Sequence, residues 1–376
     1  MNLAEFFESD AIALPRTYSG EGFEGAVASL FNGYLASINA LDNGDDIGDL
    51  LKSNIGTLQN VCGELRACIE QYFLGFPSAA YERFKAAMAV LGPWVNDIVY
   101  PVGEFLRNSV FAIEGADPTR EFRGDLYRIR PGTLASYTRS DLFHIPFHLR
   151  HLVTTQRYSI PGLPCLYMGS SLWGCWEELG RLDFHKLHVA RFALASDLNI
   201  LDFGWRPAVV GYHIRHFEFA SQFPNSVIGQ AVYWPLLAVC SIRRRNPESP
   251  FAPEYIVPQL LLQWIRETPT CDGLRYFSTR ITTYVHSPDA AANYVLPVQS
   301  KADSGHCTTL LEKVAVSAPV SWPLLASADV GAGGRIFSPW EIPLSDGVTV
   351  PYGKTEFWQI EGKLTAIGGM KLATVS

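Results

Sequence analysis

From Asp46 onward apolar side chains return every three or four residues: Ile47, Leu50, Leu51, Ile55, Leu58, Cys62, Leu65 and Ile69. That spacing lays them along one face of an amphipathic helix. Asp45 follows the Asn43-Gly44 break and is the expected N-cap, since its carboxylate can accept from first-turn amides. Residues 22–41 repeat the pattern. A third helix is expected from a cap at Ser78 to about Leu91, closed by Gly92-Pro93, and a fourth over Trp94–Arg107. Residues 1–112 are thus predicted to form a helical module, serving as a scaffold, an oligomerisation element or a regulatory sensor.

The texture changes after the polar, turn-rich stretch EGADPTREFRGD (114–125), which marks the expected domain boundary. Beyond it LYRI, PCLYM, VARFAL, LNILDF, GLRYFS and NYVLPV are short apolar runs broken by Gly, Pro, Asp or Asn, the signature of strands. Helical runs fall at 171–180, around 207–220, at 228–239 and at 255–267. The order is not a regular β-α-β alternation, so the fold class is α+β. The tail from Gly334 to Ser376 reads as hairpins, with KTEFWQIEGKLTAI the clearest. GAGGR (331–335) lacks the strand-helix context and acidic partner of a dinucleotide loop and reads as a turn.

Composition narrows the function classes. At 376 residues with 48% apolar and 12% aromatic side chains, the chain is globular and long enough for two domains. A net charge of −7 argues against nucleic-acid binding driven by bulk electrostatics. No apolar run reaches membrane-spanning length, and the acidic start MNLAEFFESDAIALPR lacks the basic region of a signal peptide. Seven cysteines without a CxxC pair read as reduced, buried thiols, which fits a cytoplasmic protein. His144, His148 and His151 flank Pro146, the other histidine pairs lack an HExxH context, and no metal site is expected. Arg243-Arg244-Arg245 reads as a solvated loop after a buried helix, with anion binding as the alternative. GxxxxGK[ST] and GxSxG are both absent, and MGSSLWG does not match a nucleophile turn.

Six side chains remain that suit one ligand. Arg128 lies in LYRIRPG; Arg157 and Tyr158 precede a turn; Tyr167 ends a strand; Glu178 follows within a short helix; Ser278 closes GLRYFS. Guanidinium forks bind phosphates or carboxylates bidentately. Tyrosines stack on flat rings. A lone carboxylate can stabilise developing positive charge or orient a hydroxyl. A dinucleotide with a cationic ring and a labile glycosidic bond meets all three needs. Singly, each residue has a plainer reading as surface or core; their order and contexts carry more than any member. Glu177 competes with Glu178, and Arg130 with Arg128.

Those contexts resemble the RES-domain family, named for Arg, Glu and Ser. The matching stretches are LYRIRPG (126–132), DLFHIPFHLR (141–150), RYSIPGLPCLYMGSSLWGCWEELG (157–180), EYIVPQLLLQWI (254–265), CDGLRYFSTR (271–280) and NYVLP (293–297). The resemblance covers roughly 120–300 and leaves the flanks unexplained. It implies a split β core related to ADP-ribosyltransferases, with helices around an NAD-binding cleft, spanning 120–310; the hairpin pattern makes 311–376 a β-rich extension packing on it. It implies an enzyme that consumes NAD+ as substrate, with no other cofactor, often as a toxin that depletes the cell's pool, with an antiphage role also in view. By position, Arg128 and Arg157 match the family arginines, Tyr167 its tyrosine, Glu178 its glutamate and Ser278 its serine; Tyr158 would help Tyr167 stack the nicotinamide. The spacing between the first two arginines exceeds that of small RES toxins, which makes DLFHIPF an added loop. The acceptor of ADP-ribose stays open among water, phosphate and protein, so a protein ADP-ribosyltransferase is the alternative activity. A nucleotide-binding protein without catalysis is the other. An antitoxin or regulatory partner acting through the helical module, and a homo-oligomer, are further expectations; no DNA-binding segment is visible.

Overall fold

The structure, a computed structural model, describes residues 1–20, 22–106, 109–110, 120–132, 136–281, 290–329, 340–345, 348–366, 373 and 375. GAGGR and residues 114–119 of the expected boundary lie outside the described residues. Contacts divide the chain into two compact units: 1–99 with 156–158 and 205–268, and 100–155 with 159–204 and 269–376. Helices from the middle of the sequence therefore group with the N-terminal ones, a partition different from the sequence boundaries at 112, 120 and 310.

The first unit is helical. Its centre is the Trp234–Ser241 helix, buried along its whole length. Tyr34, from the Phe23–Asn39 helix, stacks on Trp234 at 4.7 Å and donates its hydroxyl to the Ala231 carbonyl at 2.8 Å. The run from Asp46 starts as expected, with Asp45 accepting from Gly48 N at 2.8 Å. It is not one helix. Asp46–Ser53 ends at Asn54, whose ψ of 12° breaks the ladder, and Ile55–Phe73 restarts from there. The next helix, Pro77–Leu91, opens on Pro77 rather than on a Ser78 cap, because proline lacks the amide that a cap would satisfy. In place of a fourth helix, the chain makes a 3-10 turn over Gly92–Asp97, a strand and a four-residue helix, Val102–Phe105; Arg107 lies outside the described residues.

The second unit holds the sheet, and the fold is α+β. Its strands are β1 (Val99–Pro101), β2 (Ser109–Val110), β3 (Phe122–Pro131), β4 (Cys165–Gly169), β5 (Leu187–Ala195), β6 (Asn199–Phe203), β7 (Gly273–Phe277), β8 (Ala292–Pro297), β9 (Val314–Val316) and β10 (Val320–Ser321). Each strand-like run in the sequence falls in one of them. The spatial order is β1-β6-β7-β8-β4-β3-β5-β10, with β2 on β3 and β9 on β5. β6 and β7 are parallel; β7 to β8 to β4 is antiparallel. One face carries Leu126, Leu166, Met168, Phe192, Tyr294 and Leu296; the other carries Tyr127, Ile129, Leu187 and Val189, against which Trp173 of the Leu172–Glu178 helix packs.

The C-terminal stretch corrects an expectation. β11 (Glu341–Ser345) and β12 (Val348–Pro351) do form a hairpin, but KTEFWQIEGKLTAI folds as the helix Glu356–Ala366. Phe357, Ile360 and Leu364 are buried at helical spacing, and packing that stripe outweighs the weak alternation that suggested strands. Among the described residues, no helix is long and apolar enough to cross a membrane.

A buried ion pair ties β6 to β7. Arg275 donates through one Nη to both carboxylate oxygens of Asp202 at 2.8 Å, and Gly204 N donates to the same carboxylate at 2.8 Å. Gly204 has to be glycine, since a Cβ would fall 2.6 Å from the guanidinium carbon. Asp202→Ala leaves that guanidinium buried and uncompensated, and should cost about 3–5 kcal/mol. Urea unfolding followed by circular dichroism reads this directly; a loss under about 1 kcal/mol would show that the pair is not what holds β6 on β7.

Candidate functional site

β3 and β4 are neighbours in the sheet, yet they share a single register pair, Tyr127 with Gly169. β3 continues against β5 to Pro131, and β4 continues against β8 along its whole length. The sheet therefore forks just past Tyr127. Arg128 is the next residue on one arm, and Tyr167 lies two residues from Gly169 on the other.

The fork is plugged by Cys175. Its thiol donates to the Tyr127 carbonyl at 3.3 Å. It lies so close over Gly169 that a Cβ there would come within 2.6 Å of the sulfur. Burial, then the Glu361 carboxylate, push this thiol up to about 12, so it stays neutral. Cys175 belongs to the helix Leu172–Glu178, which starts on Ser171. The Ser171 hydroxyl accepts from Gly174 N at 3.0 Å and donates to the Ala290 carbonyl at 2.7 Å. Glu361, from the C-terminal helix, accepts from Leu172 N at 2.7 Å and from the Tyr352 hydroxyl at 2.5 Å. The C-terminal extension thus caps the helix that carries the candidate acids.

Arg128 is half-buried and donates to the Phe143 carbonyl at 3.0 Å. Burial and the neighbouring Arg130 push its guanidinium down to about 10; Cys175 and Tyr167 act in the opposite sense. Among the described residues it pairs with no carboxylate. Arg130, its competitor, bonds the Asp141 carbonyl, approaches the Asp141 carboxylate at 3.8 Å and lies over the Tyr137 ring. The two arginines therefore differ: Arg130 has its counter-charge and Arg128 does not.

Glu177 and Glu178 each face an arginine, but they differ in exposure. Glu177 accepts from Trp173 Nε1 and pairs with Arg181 Nε, each at 3.0 Å, so both its oxygens are engaged within its own helix and turn. Glu178 accepts from Asn293 Nδ2 at 2.9 Å and faces Arg280 Nε at 3.6 Å; its side chain keeps 31% of its exposure. A carboxylate at a helix C-terminus is disfavoured by the backbone dipoles there. Asn293 and Arg280 offset that cost. Asn293 sits on β8, paired with Gly169 on one side and Tyr276 on the other, which fixes Glu178 over the middle of the sheet.

Ser278 is fully buried. Its hydroxyl accepts from Arg280 N at 3.2 Å and Ile281 N at 3.3 Å, shaping the turn after β7 that delivers Arg280 to Glu178. Tyr167 shares a 2.7 Å hydrogen bond with Ser159. Four of the sequence candidates, Arg128, Tyr167, Glu178 and Ser278, thus belong to the sheet unit. Arg157 and Tyr158 belong to the helical unit. There Arg157 donates to the Cys240 carbonyl at 2.8 Å and lies over the Tyr255 ring, and Tyr158 is buried against Cys240.

Sequence reasoning missed Asn293, Arg280 and His144. Asn293 had a signal: it is a polar residue in the fully buried strand ANYVLP. His144 Nδ1 bonds the Ile145 carbonyl at 2.8 Å, and its Nε2 accepts from Cys307 N at 2.9 Å. Burial pushes this imidazole down to about 4, with His306 and Arg128 acting in the same sense, so it stays neutral. Among the described residues no group of three or more His, Cys, Asp or Glu side chains has a geometry that could hold a metal ion.

The chain is 31% identical over 361 residues to the Bacillus subtilis (strain 168) protein named "Putative toxin YopC", an alignment covering 94% of this chain and 78% of that protein. No family model and no solved structure matches the chain.

An uncompensated, desolvated guanidinium is a stability cost that a neutral chain of similar volume would not carry. Arg128→Met should therefore raise stability by about 1–3 kcal/mol. Calorimetry would measure it as a higher unfolding temperature, and a lower one would mean that Arg128 is already satisfied by the fold.

Proposed function

Because the chain belongs to the family of the protein named "Putative toxin YopC", we propose that it is a toxin acting by cleavage of the nicotinamide–ribose bond of NAD+. Nicotinamide departs from a cationic ring as a neutral base, so no general acid is required. The barrier is the electron-poor, oxocarbenium-like ribosyl carbon. Glu178 stabilises that carbon and holds the ribose hydroxyls, acting in a partly water-excluded site where a fixed charge counts for most. Arg128 binds the pyrophosphate. Tyr167 stacks the nicotinamide. Ser278 is a positioning residue: it sets the turn of Arg280, which orients Glu178. With water as acceptor, the products are nicotinamide, ADP-ribose and a proton.

The observation that supports this reading is the pairing pattern. Of two adjacent acids and two nearby arginines, Glu177 and Arg130 have their charges matched internally. Arg128 at the fork carries no counter-charge among the described residues, and Glu178, which faces Arg280 at 3.6 Å, is the more exposed of the two acids. An arginine without a counter-charge and a partly exposed acid support the reading of an anionic ligand that becomes cationic at one carbon.

Purified protein incubated with NAD+, with products separated by chromatography, should release nicotinamide. Glu178→Gln should slow release by about 10²–10³-fold, while Glu177→Gln should leave it within a few-fold. Arg128→Ala should act mainly on KM, raising it about tenfold or more. Wild-type turnover in Glu178→Gln would remove the acid assignment, and an unchanged KM in Arg128→Ala would remove the phosphate role. Growth arrest on expression that survives Glu178→Gln would separate toxicity from NAD+ loss.

A further inference from the structure

The helical unit contains a cavity of about 400 Å³ unrelated to the fork in the sheet, lined by Arg16, Thr17, Tyr18, Ser19, Ser29 and Ile242 among others. Its size falls in the range of small-ligand sites, roughly 300–1,000 Å³. We propose that it binds a phosphate monoester of up to about mononucleotide size.

The charges around it are unmatched. Arg243 N donates to the Arg16 carbonyl at 2.7 Å, which sets these two residues side by side; Ile242, the neighbour of Arg243, is in the cavity wall. The Nε atoms of Arg16, Arg243 and Arg244 are buried and have no hydrogen-bond partner. Neither Arg16 nor Arg243 makes an ion pair among the described residues. Burial pushes the Arg243 guanidinium below its ordinary value. The carboxylate nearest in the network is Glu254, and it is occupied otherwise: one of its oxygens accepts from the Tyr18 hydroxyl and from Arg245 N, each at 2.9 Å. Burial, then the bond to Glu254, push the Tyr18 hydroxyl up to about 12, so Tyr18 adds no negative charge. Arg245 lies over the Tyr18 ring at 5.4 Å and adds another cation at the rim. Arg16, in the cavity wall, and Arg243 beside it bring positive charge to the cavity that no ion pair matches among the described residues.

The lining selects the ligand class. A guanidinium with the hydroxyls of Thr17, Ser19 and Ser29 offers several donors to one anionic group, which matches the three terminal oxygens of a phosphate monoester better than the two of a carboxylate. Ala26, Leu30 and Ile242 supply apolar wall for the organic part of such a ligand. Of the Arg243-Arg244-Arg245 run, Arg243 follows Ile242 of the cavity wall and Arg245 lies over Tyr18, whereas Arg244 bonds the Ser249 carbonyl and lies over Tyr255.

Titration calorimetry on the full chain with AMP, inorganic phosphate and adenosine tests the assignment without reference to turnover, so it holds or fails separately from NAD+ cleavage. AMP should bind saturably and adenosine at least about tenfold more weakly. Arg16→Ala should weaken AMP binding about tenfold or more. Ser29→Phe, at an exposed position of the Phe23–Asn39 helix, should block the cavity with no charge removed and weaken AMP to a similar degree, which keeps the test decisive if Arg16→Ala unfolds. Equal binding of AMP and adenosine, wild-type affinity in Ser29→Phe, or loss of AMP binding in Arg128→Ala alone would overturn the proposal, the last by moving the phosphate to the sheet unit.

Discussion

The sheet unit turns on one hydrogen-bonded junction. Tyr127 and Gly169 are the only residues through which β3 and β4 are held in register among the described residues, and the Cys175 thiol locks that junction by bonding Tyr127 and lying against Gly169. Everything of interest is placed relative to it. Arg128 follows Tyr127 on one arm of the fork, Tyr167 precedes Gly169 on the other, and Asn293, opposite Gly169 on β8, holds Glu178. A glycine is required at the crossing because the helix can approach the strand this closely only where no Cβ intervenes.

The junction keeps a cation partly out of water without giving it an anion. Burial and the neighbouring Arg130 push the Arg128 guanidinium down to about 10, so the fold holds a cost against its charged form. Natural folds retain such a cost where function needs it. The same unit spends favourable contacts on rigidity nearby: Glu361 caps the Leu172–Glu178 helix from the C-terminal helix, and Ser171 staples its start to Ala290. The C-terminal segment is thus part of the support of the candidate site, although it lies outside the stretch that resembles the RES family.

Strands were legible because their side chains are packed on one or both faces and bounded by turn residues: LYRI, PCLYM, VARFAL, LNILDF, GLRYFS and NYVLPV all fall in the sheet. Helices were legible where one apolar stripe is long. The failures have specific causes. A kink at Asn54 does not interrupt the apolar spacing, so Asp46 to Ile69 reads as a single helix until backbone angles are known. In KTEFWQIEGKLTAI, alternation and helical spacing coincide over short windows, and only the burial of Phe357, Ile360 and Leu364 separates them. At the candidate site, the sequence offers candidates but not their pairings. Glu177 and Glu178, or Arg128 and Arg130, are indistinguishable in one dimension; Trp173, Arg181 and Asp141 separate them in three.

A chain with a net charge of −7 that keeps unmatched arginines in two separate units makes a consistent physical choice. Long-range repulsion disfavours polyanions such as nucleic acid, whose binding depends on many distributed phosphate contacts. Small anions feel mainly the nearest charges, because salt screens the rest within about 8–10 Å. Arg128 at the fork and Arg16 with Arg243 beside the helical cavity are desolvated enough for those nearest charges to count. On the proposed readings, overall acidity and local cationic sites would be complementary: the first disfavours polyanions, and the second would retain ligands that carry one or two phosphates on a compact body.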